Sequence, residues 1–167
     1  MVKVEIRAGK LRDICYVAAN LREQDRREIF ATAILESGTQ AGATSYLSSP
    51  NWCWTAWIDG QPVAAFGVSI GNYIYQPHLR YAWAYGTEKF KRATPAITRF
   101  CLNEWPERLI AEGVTRVEIR SLADHDLAHK WLSSIRARKE ADMLNYGVNG
   151  EAFELWAWLK EDWQDVL

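Results

Sequence analysis

Apolar and charged positions alternate where the chain begins: Val2, Val4 and Ile6 are interleaved with Lys3, Glu5 and Arg7. That two-residue period predicts a half-buried strand. The period then lengthens. Leu11, Ile14, Cys15 and Ala18 recur at helical spacing and predict a helix over 10–20, ended by Asn20. A second helix is predicted over 25–35, with Ile29, Phe30, Ala33 and Ile34 inward and Gly38 as its stop. Residues 39–48 predict a short third helical piece.

The middle of the chain reads as strands. An aromatic run over 52–58 meets Asp59-Gly60, and a second apolar run follows over 62–70. An Asp-Gly pair between two such runs is a strong hairpin signal. A polar and aromatic loop over 71–79 leads to a short strand over 80–85. Thr94-Pro95 then resembles an N-cap followed by proline in the first helical turn. Ile97, Phe100, Cys101 and Trp105 make the apolar stripe of that helix, Pro106 is expected to bend or interrupt it, and Gly113 closes it. A strand over 114–121, a helix over 124–135, and strands over 139–146 and 153–159 complete the order, with Asn149-Gly150 as a second hairpin signal. The expected architecture is α+β: one domain over 1–167, with a single mixed sheet flanked by helices on both faces.

Composition narrows the classes. With 20 Lys+Arg against 21 Asp+Glu, the net charge is -1. The chain therefore lacks the global field that gathers nucleic acid or anionic membrane. No apolar run is long enough for a membrane span. Cys15, Cys53 and Cys101 are odd in number and widely spaced. That speaks against a disulfide framework or zinc site and for a reducing, cytosolic setting. Nine Trp are an excess, and some of their rings are expected at the surface.

Three clusters invite a chemical account. His125 and His129 are four apart, a spacing able to hold a metal, but Asp124 and Asp126 beside them are explained by capping, and no metal is expected. Cys53 and Cys101 sit in apolar segments and read as buried thiols. The run Arg22-Glu23-Gln24-Asp25-Arg26-Arg27-Glu28 reads as a solvated helix face, with partner binding as the alternative.

The order of elements resembles the GNAT N-acetyltransferase fold from end to end. The segment Ala19-Asn20-Leu21-Arg22-Glu23-Gln24-Asp25-Arg26-Arg27-Glu28-Ile29, the segment Trp54 to Ala64 with Phe66-Gly67-Val68 behind it, and Trp83-Ala84-Tyr85-Gly86-Thr87 are similar to stretches of a phage family. That family is the internal virion protein A group of short-tailed phages, whose fold is GNAT-like. The resemblance implies a phage-encoded protein acting in virion assembly, with virion or host proteins as partners and self-association open. Its location would be the host cytoplasm or the virion.

The GNAT resemblance also implies where acetyl-CoA would sit if the fold is still active. Tyr85 and Gly86 would line the pantetheine path, and Lys91, Arg92 and Ala93 the diphosphate, with Lys89 beside them. Active members cradle the diphosphate on glycine backbone at a helix start, through Arg-x-x-Gly-x-Gly. With Arg92 as that arginine, Pro95 and Ile97 replace the glycines, and Pro95 removes a donor. Members also place a carboxylate base on the fourth or fifth strand and a Tyr acid on the helix that follows. Glu118 is the acid on the fifth strand, the helix after it has no Tyr, and Tyr146 lies beyond it. Glu118 and Tyr146 are thus the weak catalytic candidates, and the expectation is a degenerate site that binds acetyl-CoA weakly or not at all, with an active acetyl-CoA-dependent enzyme as the alternative.

Overall fold

A computed structural model describes residues 3–164, so Val2 lies outside it. Seven strands form one sheet: β1 (Val4–Ala8), β2 (Cys53–Ile58), β3 (Gln61–Ile70), β4 (Leu79–Gly86), β5 (Arg116–Leu122), β6 (Arg138–Met143) and β7 (Phe153–Leu159). Helices α1 (Leu11–Ala19), α2 (Glu23–Thr32) and α3 (Gly38–Leu47) follow β1. Helix α4 (Phe90–Ala111) joins β4 to β5, α5 (Asp126–Ser134) follows β5, and α6 (Lys160–Gln164) follows β7. The sheet order is β1-β2-β3-β4-β5-β7-β6, antiparallel throughout except for the β4/β5 pair.

Alternation along the strands sorts the core. Ala64, Phe66 and Val68 of β3 face the helices α4 and α5, whereas Ala65, between them, faces α1. The β2–β3 turn uses Asp59 at φ 51° and Gly60 at φ 75°, the left-handed pair that the Asp-Gly signal predicts. Between β2/β3 and α4, the rings of Trp52, Trp54, Phe66, Phe100 and Trp105 pack with centroids 5.1–6.3 Å apart. Such pairs contribute about 0.5–1.5 kcal/mol each beyond simple burial.

Trp52, Trp54, Trp156, Trp158 and Trp163 are buried, while Trp57, Trp83, Trp105 and Trp131 are half-buried and reach the surface in part. Several other expectations are corrected. Helix α2 begins two residues early and ends at Thr32, so Ile34 is 92% exposed and does not face inward. Its last turn is stopped by competition for carbonyls, since Val148 donates its N–H to Ala31 and the Thr32 hydroxyl to Ile29. Helix α4 begins at Phe90, more than a turn before Thr94-Pro95, and passes through Pro106 without a break. The Thr94 hydroxyl bonds back to the Phe90 carbonyl and caps nothing. Asn149-Gly150 lies inside a nine-residue β6–β7 connection, over 144–152, instead of forming a two-residue turn.

One feature of the sheet positions the site. Strands β4 and β5 pair only where Leu79–Tyr81 meets Arg116–Glu118. Each then continues, β4 held by β3 as far as Gly86 and β5 held by β7 as far as Leu122. Beyond Tyr81 and Glu118 the two strands therefore diverge, leaving a wedge-shaped gap in the middle of the sheet.

Candidate functional site

The gap exposes backbone. Gly86 accepts from the Arg22 N–H at 2.9 Å and donates to the Asp25 carboxylate at 2.7 Å, both on the edge away from β3. Two-residue alternation puts the N–H and C=O of Ala84 on that same edge, past the last residue paired with β5. A cavity of about 360 Å³ lies on the α4/α5 face, against Phe90, Lys91 and Trp131. A second, of about 270 Å³, lies on the α2/α3 face, against Thr44, Trp83 and Tyr85. Glu28, Ala84 and Ile119 border both, so the gap connects the two faces of the sheet.

Helix α2 straps the wide end of this gap. Its residues Asp25 and Glu28 are one turn apart and point at the sheet. Asp25 takes the Gly86 N–H at the end of β4, and Glu28 takes the Leu122 N–H at the end of β5 at 2.8 Å. Each carboxylate thus replaces a sheet hydrogen bond that the divergence has broken. Asp25 is buried, and that burial pushes its carboxyl pKa above the ordinary value, against the opposing pull of Arg22 at 2.8 Å and of the Gly86 N–H. The Arg22 guanidinium in turn lies 4.3 Å over the Phe90 ring at the start of α4.

Glu28 is the most polar point of the gap. Its Oε2 accepts from the Ser121 hydroxyl at 2.9 Å and from Leu122 N–H, and sits 3.2 Å from His125 Nδ1. Oε1 takes none of these bonds. His125 is only 6% exposed, and its Nε2 has no partner. The arrangement is a carboxylate oriented by three donors, backed by an imidazole and placed where two cavities meet.

A gap between the central strands, open on both faces, coincides with strong structural likeness to known proteins. Ard1 from Thermoplasma volcanium superposes with a TM-score of 0.68 at 13% identity, covering 93% of this chain and 97% of that one. An N-acetyltransferase from Staphylococcus aureus Mu50 gives 0.71 at 10% identity, over 95% and 99% of the two chains. YncA of Salmonella typhimurium, solved with its cofactor acetyl-CoA, gives 0.67 at 12% identity, over 94% of each. The chain has the GNAT fold. No protein-family model matches its sequence. No curated protein does either.

The β4–α4 turn, where the sequence resemblance implies a diphosphate, has most of its backbone donors engaged. Gly86 N–H is bonded to Asp25, Thr87 N–H to Val63 C=O, Phe90 N–H to Thr87 C=O and Arg92 N–H to Lys89 C=O. Lys89 N–H is directed at the Thr87 hydroxyl at 3.3 Å. Pro95 does not sit at the helix start, as its pairing with Thr94 predicts. With α4 starting at Phe90, Pro95 lies in the second turn, and the N–H it lacks would have served the Lys91 carbonyl inside the helix. Lys91 and Arg92 are exposed in the first turn, and Lys91 lines the larger cavity. Ala93 is fully buried in the core, so its side chain is no diphosphate contact. Tyr85 is buried against Trp83 on the α1 side, bordering the smaller cavity.

The catalytic candidates Glu118 and Tyr146 are not brought together as an acid–base pair. Glu118 accepts from Arg116 Nε at 2.7 Å and from Arg120 at 3.0 Å, and Arg116 also pairs with Glu140. Both oxygens of the Glu118 carboxylate are thus engaged by guanidinium groups. Tyr146 meets Phe153 edge-on and lies under the Arg120 guanidinium, 5.9 Å from it. His125 and His129 turn to different carboxylates, Glu28 and Glu154. Cys53 and Cys101 are buried and unpaired, and burial raises both thiol pKa values. The sequence presents His125 only as a candidate metal ligand, gives Ser121 no role, and presents Asp25 and Glu28 as part of a solvated or partner-binding helix face. Their one signal was the three-residue spacing of Asp25 and Glu28 next to Ile29, which places acids on the buried stripe of a charged helix.

Proposed function

We propose that the chain is an N-acyltransferase that draws its acyl group from a CoA thioester. The observation that carries this is the gap: diverging strands, a cavity on each face, and Glu28 in the wall of both. Acetyl-CoA, when bound, would supply the acyl group as an activated thioester, with the CoA thiolate as leaving group. The chain's own residues divide the remaining work. Ala84 N–H faces the gap as a donor to a developing oxyanion. Glu28 Oε1 takes the proton that an attacking amine loses, while Ser121, Leu122 N–H and His125 hold Oε2 in place. Lys89, Lys91 and Arg92 meet the diphosphate as side chains, because most of the backbone donors around them are engaged. Calorimetric titration with acetyl-CoA tests the proposal, followed by mass-spectrometric detection of acetylated amines. A dissociation constant in the low micromolar range is expected.

The engaged donor row favours a second reading. A GNAT fold that lacks the backbone cradle suits a phage protein that joins virion or host proteins in assembly without catalysis. Absence of acetyl-CoA binding at millimolar concentration, with stable capture by virion components, is the outcome that would favour it.

A further inference from the structure

The α2/α3-side cavity is built for a small molecule with two charged ends. At about 270 Å³ it falls just below the range usual for drug-sized ligands. Its walls are largely apolar or aromatic, with Ile29, Leu35, Trp83 and Tyr85 among them. Two charged side chains interrupt them. Glu28 stands at the gap, with Oε1 free of the bonds that hold Oε2. Arg120 stands on β5, and its guanidinium lies 5.0 Å over the Tyr81 ring and 5.9 Å over the Tyr146 ring. Glu118 engages only its terminal NH2, and Arg120 Nε–H is buried without an acceptor. A buried guanidinium N–H left unpaired is costly, and a carboxylate, accepting in the plane of the fork, removes that cost.

We propose that this cavity takes a free α-amino acid with an apolar or aromatic side chain, its amine toward Glu28 and its carboxylate on Arg120. As the acceptor in acyl transfer, this inference rests on the proposed function; as a binding site it does not. An amine lacking the carboxylate leaves Arg120 Nε–H unpaired, and an acid lacking the amine sets a carboxylate near Glu28 with nothing to offset it. Each one-ended analogue is therefore expected to bind at least about tenfold more weakly than the amino acid.

The test uses the whole protein without acetyl-CoA, titrated with L-phenylalanine, phenethylamine and 3-phenylpropionate by calorimetry and ligand-observed NMR. Phenylalanine is expected to bind best. Arg120→Met is expected to erase the preference for phenylalanine over phenethylamine while leaving phenethylamine binding intact. Arg120→Lys, which keeps the charge but not the fork, should fall between. Equal binding of phenylalanine and phenethylamine to the wild type overturns the inference, as does an Arg120→Met loss that is the same for both. Phenylalanine binding in a protein that ignores acetyl-CoA leaves the site standing and removes the transferase. Acetyl-CoA binding without phenylalanine binding does the reverse.

Discussion

Glu28 and Asp25 lie one turn apart on the same helix and are held differently. Glu28 is partly open and held by Ser121, Leu122 N–H and His125; Asp25 is buried and faces Arg22. Glu28→Gln keeps the shape and an acceptor for Leu122 N–H but removes the base. Acetyl transfer is expected to fall by about 10²–10⁴-fold, with acetyl-CoA affinity changed little, as steady-state kinetics and calorimetry would report. Asp25 carries a raised pKa in the folded protein. The unfolded chain then releases this proton first as pH climbs, so Asp25 favours folding most below the ordinary carboxylate range. That contribution is lost as pH rises toward the folded value. Asp25→Asn is expected to flatten this component, seen by comparing urea midpoints of variant and wild type between about pH 3 and pH 7.

At the scale of elements, α4 decides how the cleft is floored. Its early start brings Phe90 under Arg22 and draws the turn's N–H groups into bonds with Val63 and Thr87. Gly86 is needed at that junction, because a Cβ there would lie 2.8 Å from the Val63 carbonyl oxygen and against the Phe90 ring. Gly86→Ala is expected to cost about 1–3 kcal/mol, read from the denaturation midpoint. Pro95→Ala should instead stabilise by about 1–3 kcal/mol, since it returns an N–H to the Lys91 carbonyl inside a helix, and that N–H opens no donor toward the cleft. At the sheet's edges, Glu5 and Arg7 on β1, and Arg138, Lys139, Glu140 and Asp142 on β6, put charge where another strand would otherwise add.

At the scale of the molecule, diphosphate recognition by Lys89, Lys91 and Arg92 makes a distinct prediction. Exposed cations are screened within about 10 Å at 0.1 M salt, so acetyl-CoA affinity should fall several-fold between about 50 and 500 mM salt, measured by calorimetry. The architecture that frames this site was legible in the chain. The two-residue period of β1, the Asp59-Gly60 turn and the apolar stripes of α1 and α5 are local signals, and each is written in neighbouring residues. The start of α4 was not, because Thr94-Pro95 is a valid local cap signal overruled by the packing of Phe90 and Ala93 in the core. Nor was the site. Periodicity marks which face a residue shares, but not which distant group it meets. Glu28 encounters Ser121, Leu122 and His125 more than ninety residues away, only because two strands diverge and a helix crosses their ends. The sequence by itself determined the order of elements and the mixed α+β class, because those follow from local hydrophobic period and turn chemistry. The tertiary structure alone decided that Asp25 and Glu28 turn toward the sheet while Glu23, Gln24, Arg26 and Arg27 of the same charged run stay exposed, because the backbone groups freed by the divergence of β4 and β5 need partners, and those two acids supply them.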